Sequence, residues 1–253
     1  MDPSGLADRI WDAVRTTTAI SPLTEIYPEL TVDSAYEIQE EIVARHLASG
    51  TGIAAAKLGL TSTAKQQQMN VSEPLYGWMT DEMRVVRAAR VDDYIQPRAE
   101  PEVAFIIGKE LEGPNVTTAE VIAATDAIAP ALDILDSRFS GYRFTLADVT
   151  ADNSSAAGFV LGEPVEPPRD LRVTGCVFEK NGELVATAAG ASVMDHPAAA
   201  VAWFVRKLHE RGKILPAGMT VLAGAWTAAV PIEPGDLLRA SFDHIGSVEL
   251  TAE

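Results

Sequence analysis

A single cysteine, Cys176, is present in 253 residues, so neither an intramolecular disulfide nor a cysteine cage for zinc can form within one chain. A reducing, cytoplasmic setting is expected. Histidine is nearly as scarce. His46, His196, His209 and His244 include no pair at helical metal spacing, which leaves carboxylates to supply any metal site. Basic residues number 20 against 36 acidic ones, and the formal charge of -16 opposes nucleic acids and anionic membranes while attracting divalent cations. No apolar run approaches the roughly 20 residues of a membrane span. The opening MDPSGLADRIWDAV places Asp2, Asp8 and Asp12 where a secretion signal would be basic and then apolar, so no signal is expected there. A nucleophile elbow, a phosphate-cradling glycine loop, a dinucleotide fingerprint and a basic aromatic patch are also missing.

What is there suffices for a substantial core, since 47% of the residues are hydrophobic. The pattern predicts an α+β chain: residues 1–75 form an N-terminal helical region with a lid, and residues 76–253 form a β-rich body, with one continuous domain as the alternative. Helix is expected over residues 5–49, broken at Ser21–Pro22, resuming near Asp33 with a stripe of Ala35, Ile38, Ile42 and Leu47, and stopping at Gly50. The polar, glutamine-rich stretch TSTAKQQQMNVSEP (61–74) reads as a surface loop or short helix able to act as a lid. A capping box at Thr117 and Glu120 opens a helix that Pro130 is expected to close. Asn181–Gly182 marks a hairpin turn. A helix begins near Pro197 and ends at Gly212, and strands follow to the end.

Three acids attract attention. In AEPEVAFIIG, strand alternation puts Glu100 and Glu102 on one face and Val103, Phe105 and Ile107 on the other. The pattern alone leaves two readings open, a metal-ligand pair or the solvated face of an edge strand. Asp133 lies inside the apolar run PALDIL, where an acid is costly unless a cation or hydrogen bonds compensate it. Lys57, in AAAKLGLTS, either snorkels from a strand end or is buried; burial would lower its pKa toward neutrality and suit it to general acid/base work. ADNSS (151–155) and GAWTAAV (224–230) have the small and polar composition that lets a ligand approach, as well as that of ordinary turns and tight packing. Arg98 and Arg138 either neutralise the acids or hold a substrate carboxylate.

KLGLTS, QPRAEPEVAF, PALDILDSR, ADNSS and LAGAWTAAVPIEPGD, in this order, resemble the 2-oxopentenoate hydratase and 4-oxalocrotonate decarboxylase branch of the fumarylacetoacetate hydrolase family, from about Tyr36 to Val248. The resemblance implies a mixed β fold and a Mg²⁺ or Mn²⁺ site at Glu100, Glu102 and Asp133, the last standing where this branch often has glutamate. It places the family's catalytic lysine at Lys57. Where the hydratases carry an acid after proline in a PDFG-like stretch, this chain reads SEPLYG with Leu75. GAWTAAV likewise looks like the decarboxylases' GAATAAV. Together these imply decarboxylation of 2-oxohex-3-enedioate, with Leu75, Asn153, Ser154, Thr227 and Arg138 around a small 2-oxo dicarboxylic acid. The alternatives are a hydratase of 2-hydroxypenta-2,4-dienoate, an acylpyruvate-type hydrolase needing a His/Glu pair such as His46 and Glu41, and a non-catalytic binding protein. The resemblance also implies a homo-oligomer and a complex with a partner hydratase.

Overall fold

The computed structural model describes residues 2–62, 66, 73–86 and 88–253. Residues 63–65 and 67–72 of the expected lid therefore lie outside the described residues.

Three helices come first: α1 (Pro3–Arg15), α2 (Leu23–Ile26) and α3 (Val32–Ala48). Asp2 caps α1 by accepting from the Ser4 amide, with Pro3 in the first turn, and Thr31 and Ser34 form a reciprocal capping box on α3. Leu6, Ile10, Ile38 and Ile42 meet between α1 and α3, whereas Leu47, expected in the same stripe, is 48% exposed because α3 has passed its partner there. Each aliphatic side chain so buried contributes about 1.5–3 kcal/mol.

The helical region ends at α3. Strand β1 (Ile53–Gly59) follows within residues expected to be helix and lid, and it pairs antiparallel with β2 (Leu75–Thr80). Next come β3 (Ala88–Ala89), β4 (Arg98–Ile107), helix α4 (Thr118–Ala124) and β5 (Thr125–Leu135). Pro130 does not close α4 but lies inside β5, opposite Val103. Its carbonyl accepts from the Gly162 amide just where the neighbouring strand ends, so its missing N–H interrupts no ladder. Helix α5 (Leu146–Ala151), β6 (Ala156–Leu161), the hairpin of β7 (Gly175–Lys180) and β8 (Glu183–Ala189), helix α6 (Pro197–Glu210) and β9 (Thr220–Leu222) continue the chain. It closes with β10 (Val230–Pro231), β11 (Leu237–Phe242) and β12 (Gly246–Ala252).

Among the described residues the strands form two sheets. The larger runs β2-β1-β9-β4-β5-β6, with β10 also on β4; the smaller runs β3-β12-β11-β7-β8. Asn181 and Gly182, both left-handed, make the expected β7–β8 turn. Helix α6 presses Val201, Phe204, Val205 and Leu208 into the core cluster that includes Leu58, Tyr76, Phe105 and Val221 of the larger sheet. TVLAGAWTAAVPI is strand only at its ends. Residues 223–229 leave the sheet as a loop, and that departure opens the space in which the acids meet. No helix among the described residues is long and apolar enough to cross a membrane.

Candidate metal centre and cavity

β4 and β5 are adjacent antiparallel strands whose register sets Glu100 opposite Asp133 and Glu102 opposite Ala131. Alternation points the three carboxylates to one face, and the small Ala131 leaves room beside Glu102. Each acid offers an oxygen within 4.8 Å of the other two, and exposure is 4% for Glu100 and 0% for Glu102 and Asp133. The solvated-edge reading fails because β4 is covered on both sides, by β5 and by β9 and β10. Pro101 is tolerated between the two glutamates since its carbonyl, accepting from the Trp226 amide at 2.9 Å, faces the gap between β9 and β10.

Lys57 reaches the same face from β1, where it pairs with Leu222 of β9, itself opposite Ala104. Its Nζ lies 3.0 Å from Asp133 Oδ2 and donates to the Ser154 carbonyl at 3.0 Å. Burial pushes the amine's pKa down, as expected from the sequence, but Asp133, Glu100 and Glu102 push it up by more, so the net displacement is above the ordinary value. Glu102 moves in the unfavourable sense for a lone acid. Burial, then Asp133 and Glu100, raise its carboxyl well above the usual range.

Glu102 Oε2 accepts from the Gly224 amide at 2.6 Å, while Oε1, also buried, has no hydrogen-bond partner among the described residues. A buried carboxylate oxygen facing two more acids, with one amine nearby, fits a hard divalent cation. Gly224 and Thr61 lie within the GAWTAAV and KLGLTS motifs, though the sequence assigns neither a role of its own. Gly224 sits at φ +111°, and a Cβ there would come within 1.9 Å of Thr61 Oγ1, so only glycine brings this amide to Glu102.

The turn after α5 closes the site. Asn153, Ser154 and Ser155 are consecutive left-handed residues, which presents the Ser154 carbonyl to Lys57. Arg138, expected to hold a substrate carboxylate, is buried and clamps this turn: it bonds the Asp152 side chain and carbonyl ahead of it and the Ala156 carbonyl behind it. Asn153 is likewise engaged, exchanging hydrogen bonds with the Trp78 backbone at 2.8 and 2.7 Å. Gly77 permits that approach, since a Cβ there would lie 2.3 Å from the Asn153 carbonyl oxygen.

A cavity of about 230 Å³ opens onto Lys57 and Glu100 and is walled by Leu75, Leu135, Tyr142, Phe144, Ser154, Ser155, Ala228 and Ala229, with Arg98 on its lining. Leu75 and Ser154, expected near the substrate, both line this cavity. Thr227 is not on this lining; its hydroxyl donates to the Ala228 carbonyl at 3.3 Å. His46 is not there either. It packs edge-on to Trp11 and borders a separate cavity beyond Asn153, while Glu41 is exposed, so no His/Glu pair faces the acids.

A largely apolar cavity, a carboxylate triad able to hold a divalent cation and a buried amine thus come together in one region of the fold. Residues 53–252 match the fumarylacetoacetate (FAA) hydrolase C-terminal model, and the chain belongs to the fumarylacetoacetate hydrolase family. It is 40% identical to a 4-oxalocrotonate decarboxylase of Pseudomonas sp. (strain CF600), over 96% of this chain and 94% of that one. It is 36% identical to a 2-hydroxyhexa-2,4-dienoate hydratase of Comamonas testosteroni, over 96% and 94%. Its fold superimposes with a TM-score of 0.96 on a 4-oxalocrotonate decarboxylase from Pseudomonas putida G7, solved with magnesium and adipate, at 37% identity and covering 99% of this chain and 97% of that one.

Proposed function

We propose that the protein decarboxylates 2-oxohex-3-enedioate (4-oxalocrotonate), releasing CO₂ and 2-hydroxypenta-2,4-dienoate in the meta-cleavage degradation of aromatic compounds. The observation that carries this reading is a cavity lined by Lys57, Glu100 and the apolar Leu75, with Glu102 and Asp133 clustered against Glu100 at its buried end. The 40% identity to a decarboxylase supports it.

Glu100, Glu102 and Asp133 would hold Mg²⁺ or Mn²⁺. A cation held there would supply Lewis acidity to the 2-oxo acid end of the substrate. As the bond to the distal carboxylate breaks, its electron pair moves through the conjugated chain toward the 2-oxo oxygen, and CO₂ leaves. Lys57, fixed by Asp133 and the Ser154 carbonyl, donates a proton to that oxygen to give the hydroxydienoate. Leu75, 3% exposed, keeps water from the dienoate. An acid there would activate water and favour the hydratase reading, the activity of relatives at 36% identity. The same reading places the protein in the cytoplasm, as an oligomer that passes its product to a partner hydratase.

The direct test supplies Mg²⁺ and 2-oxohex-3-enedioate to the purified protein, following substrate absorbance and CO₂. Stoichiometric CO₂ supports the proposal; consumption without CO₂ sinks it.

A further inference from the structure

The β4–β5 register that builds the triad has one more rung toward the cavity. Glu102 faces Ala131, Glu100 faces Asp133, and Arg98 then faces Leu135, with Arg98, Glu100 and Glu102 all on one side of β4 by alternation. Arg98 and Leu135 both line the cavity. The Arg98 guanidinium lies over the Tyr142 ring, 4.2 Å from its centroid. That ring is a fixed platform, since its hydroxyl donates to the Leu135 carbonyl at 3.1 Å and the Gln96 carbonyl at 3.2 Å.

Two cations line this cavity among the described residues, and they are differently committed. Lys57 is spent on Asp133 and Ser154. The Arg98 side chain makes no ion pair or hydrogen bond with a described residue; the Tyr142 ring occupies its face and leaves its N–H edge for a ligand. Two residues of strand span about 6.7 Å, and the five carbon–carbon links of a six-carbon diacid span about 6 Å. A diacid anchored at the triad by one end brings its other end to Arg98.

We infer that Arg98, stacked on Tyr142, receives the distal carboxylate of the substrate and makes the site select dicarboxylates over monocarboxylates. This rests on the decarboxylase reading for the identity of the substrate. A consequence follows from the chemistry. The distal carboxylate is the group that departs as neutral CO₂, so a cation that gripped it more tightly in the ground state than in the transition state would oppose the reaction. Arg98, half-buried and offering only an edge, contributes to binding of the substrate and not to the bond-breaking step.

The experiment compares wild type, Arg98→Leu and Arg98→Lys, all Mg²⁺-loaded, with thermal unfolding to verify folding. Calorimetry measures the affinity for adipate and for hexanoate, and kinetics measures KM and kcat. The expected result for Arg98→Leu is adipate binding weaker by on the order of ten-fold with hexanoate unchanged, KM raised to match and kcat nearly constant. Arg98→Lys should recover part of the adipate preference because it keeps the charge. Equal weakening of both ligands, or a fall in kcat at constant KM, overturns the inference. A wild type that releases no CO₂ but loses its adipate preference in Arg98→Leu refutes the reaction and leaves the role of Arg98 standing.

Discussion

Lys57 Nζ sits 3.0 Å from Asp133 Oδ2, with both side chains closed off from solvent at 2% and 0% exposure. The amine is a counter-charge to the triad, and a divalent cation held by the three acids would compete with it for Asp133. Lys57→Met should therefore cut turnover by on the order of a hundred-fold or more, through loss of the proton donor. Mg²⁺ affinity should hold or increase, since a competing cation is gone. Kinetics together with metal titration separate the two effects, and a loss of Mg²⁺ affinity would contradict this assignment.

Glu102→Gln acts in the opposite direction on the metal. The amide oxygen still accepts from the Gly224 N–H, which lies 2.6 Å from Oε2, but one of three buried charges disappears. Mg²⁺ affinity and activity should fall together. The metal-free variant should melt higher than metal-free wild type, by about 2–4 °C for each kcal/mol of repulsion removed. Wild type should gain more from added Mg²⁺ than the variant does, because the ion stabilises only the folded state that holds it.

Leu75→Asp would place a water-activating acid in the wall where a hydratase has one. The expected outcome is a shift of products from the dienoate toward the hydrated 4-hydroxy-2-oxo acid, read by NMR of the reaction mixture. An unchanged product ratio in a folded, active variant would remove Leu75 from the choice of reaction.

Gly224→Ala tests the loop that leaves β9. A methyl group within 1.9 Å of Thr61 Oγ1, at φ +111°, forces the amide away from Glu102. Strain of about 1–3 kcal/mol from the backbone alone should lower the melting temperature, and activity should fall with it. Wild-type activity in this variant would show that the amide is not needed.

Cys176 gives a control on the core. Burial pushes its thiol up to about 12, and the side chain, on β7, is 2% exposed. Because only the thiolate is nucleophilic, alkylation at pH 8 should be negligible in the native protein and reach one group per chain on unfolding. Rapid labelling of the folded protein would contradict the packing of the smaller sheet.

Much of this architecture is legible in local chemistry. The capping box at Thr117, the Asn181–Gly182 turn and the apolar spacing of α6 each encode an element through contacts a few residues apart. The alternation in AEPEVAF likewise assigns Glu100 and Glu102 to one face, and the apolar neighbours of Asp133 mark it as an acid out of place. The misreadings came where local preference yields to neighbours. Pro130 reads locally as a helix stop, yet it sits in β5 because β6 ends beside it. Lys57 was expected below its ordinary pKa, but burial is outweighed by three carboxylates that arrive from other strands. The resemblance puts Arg138 beside the substrate, whereas the fold gives Arg138 to Asp152 and places Arg98 on the cavity.

By itself, then, the sequence determined which residues are able to ligate a hard cation and which strands carry them, because strand alternation and the scarcity of cysteine and histidine are properties of the chain alone. Only the tertiary structure decided that the acids meet, through the Glu100–Asp133 register. It also decided that Lys57 and Gly224 reach them, and that Arg98 stands one rung away. Those facts depend on pairings across tens of residues, which fix distances that no local pattern carries.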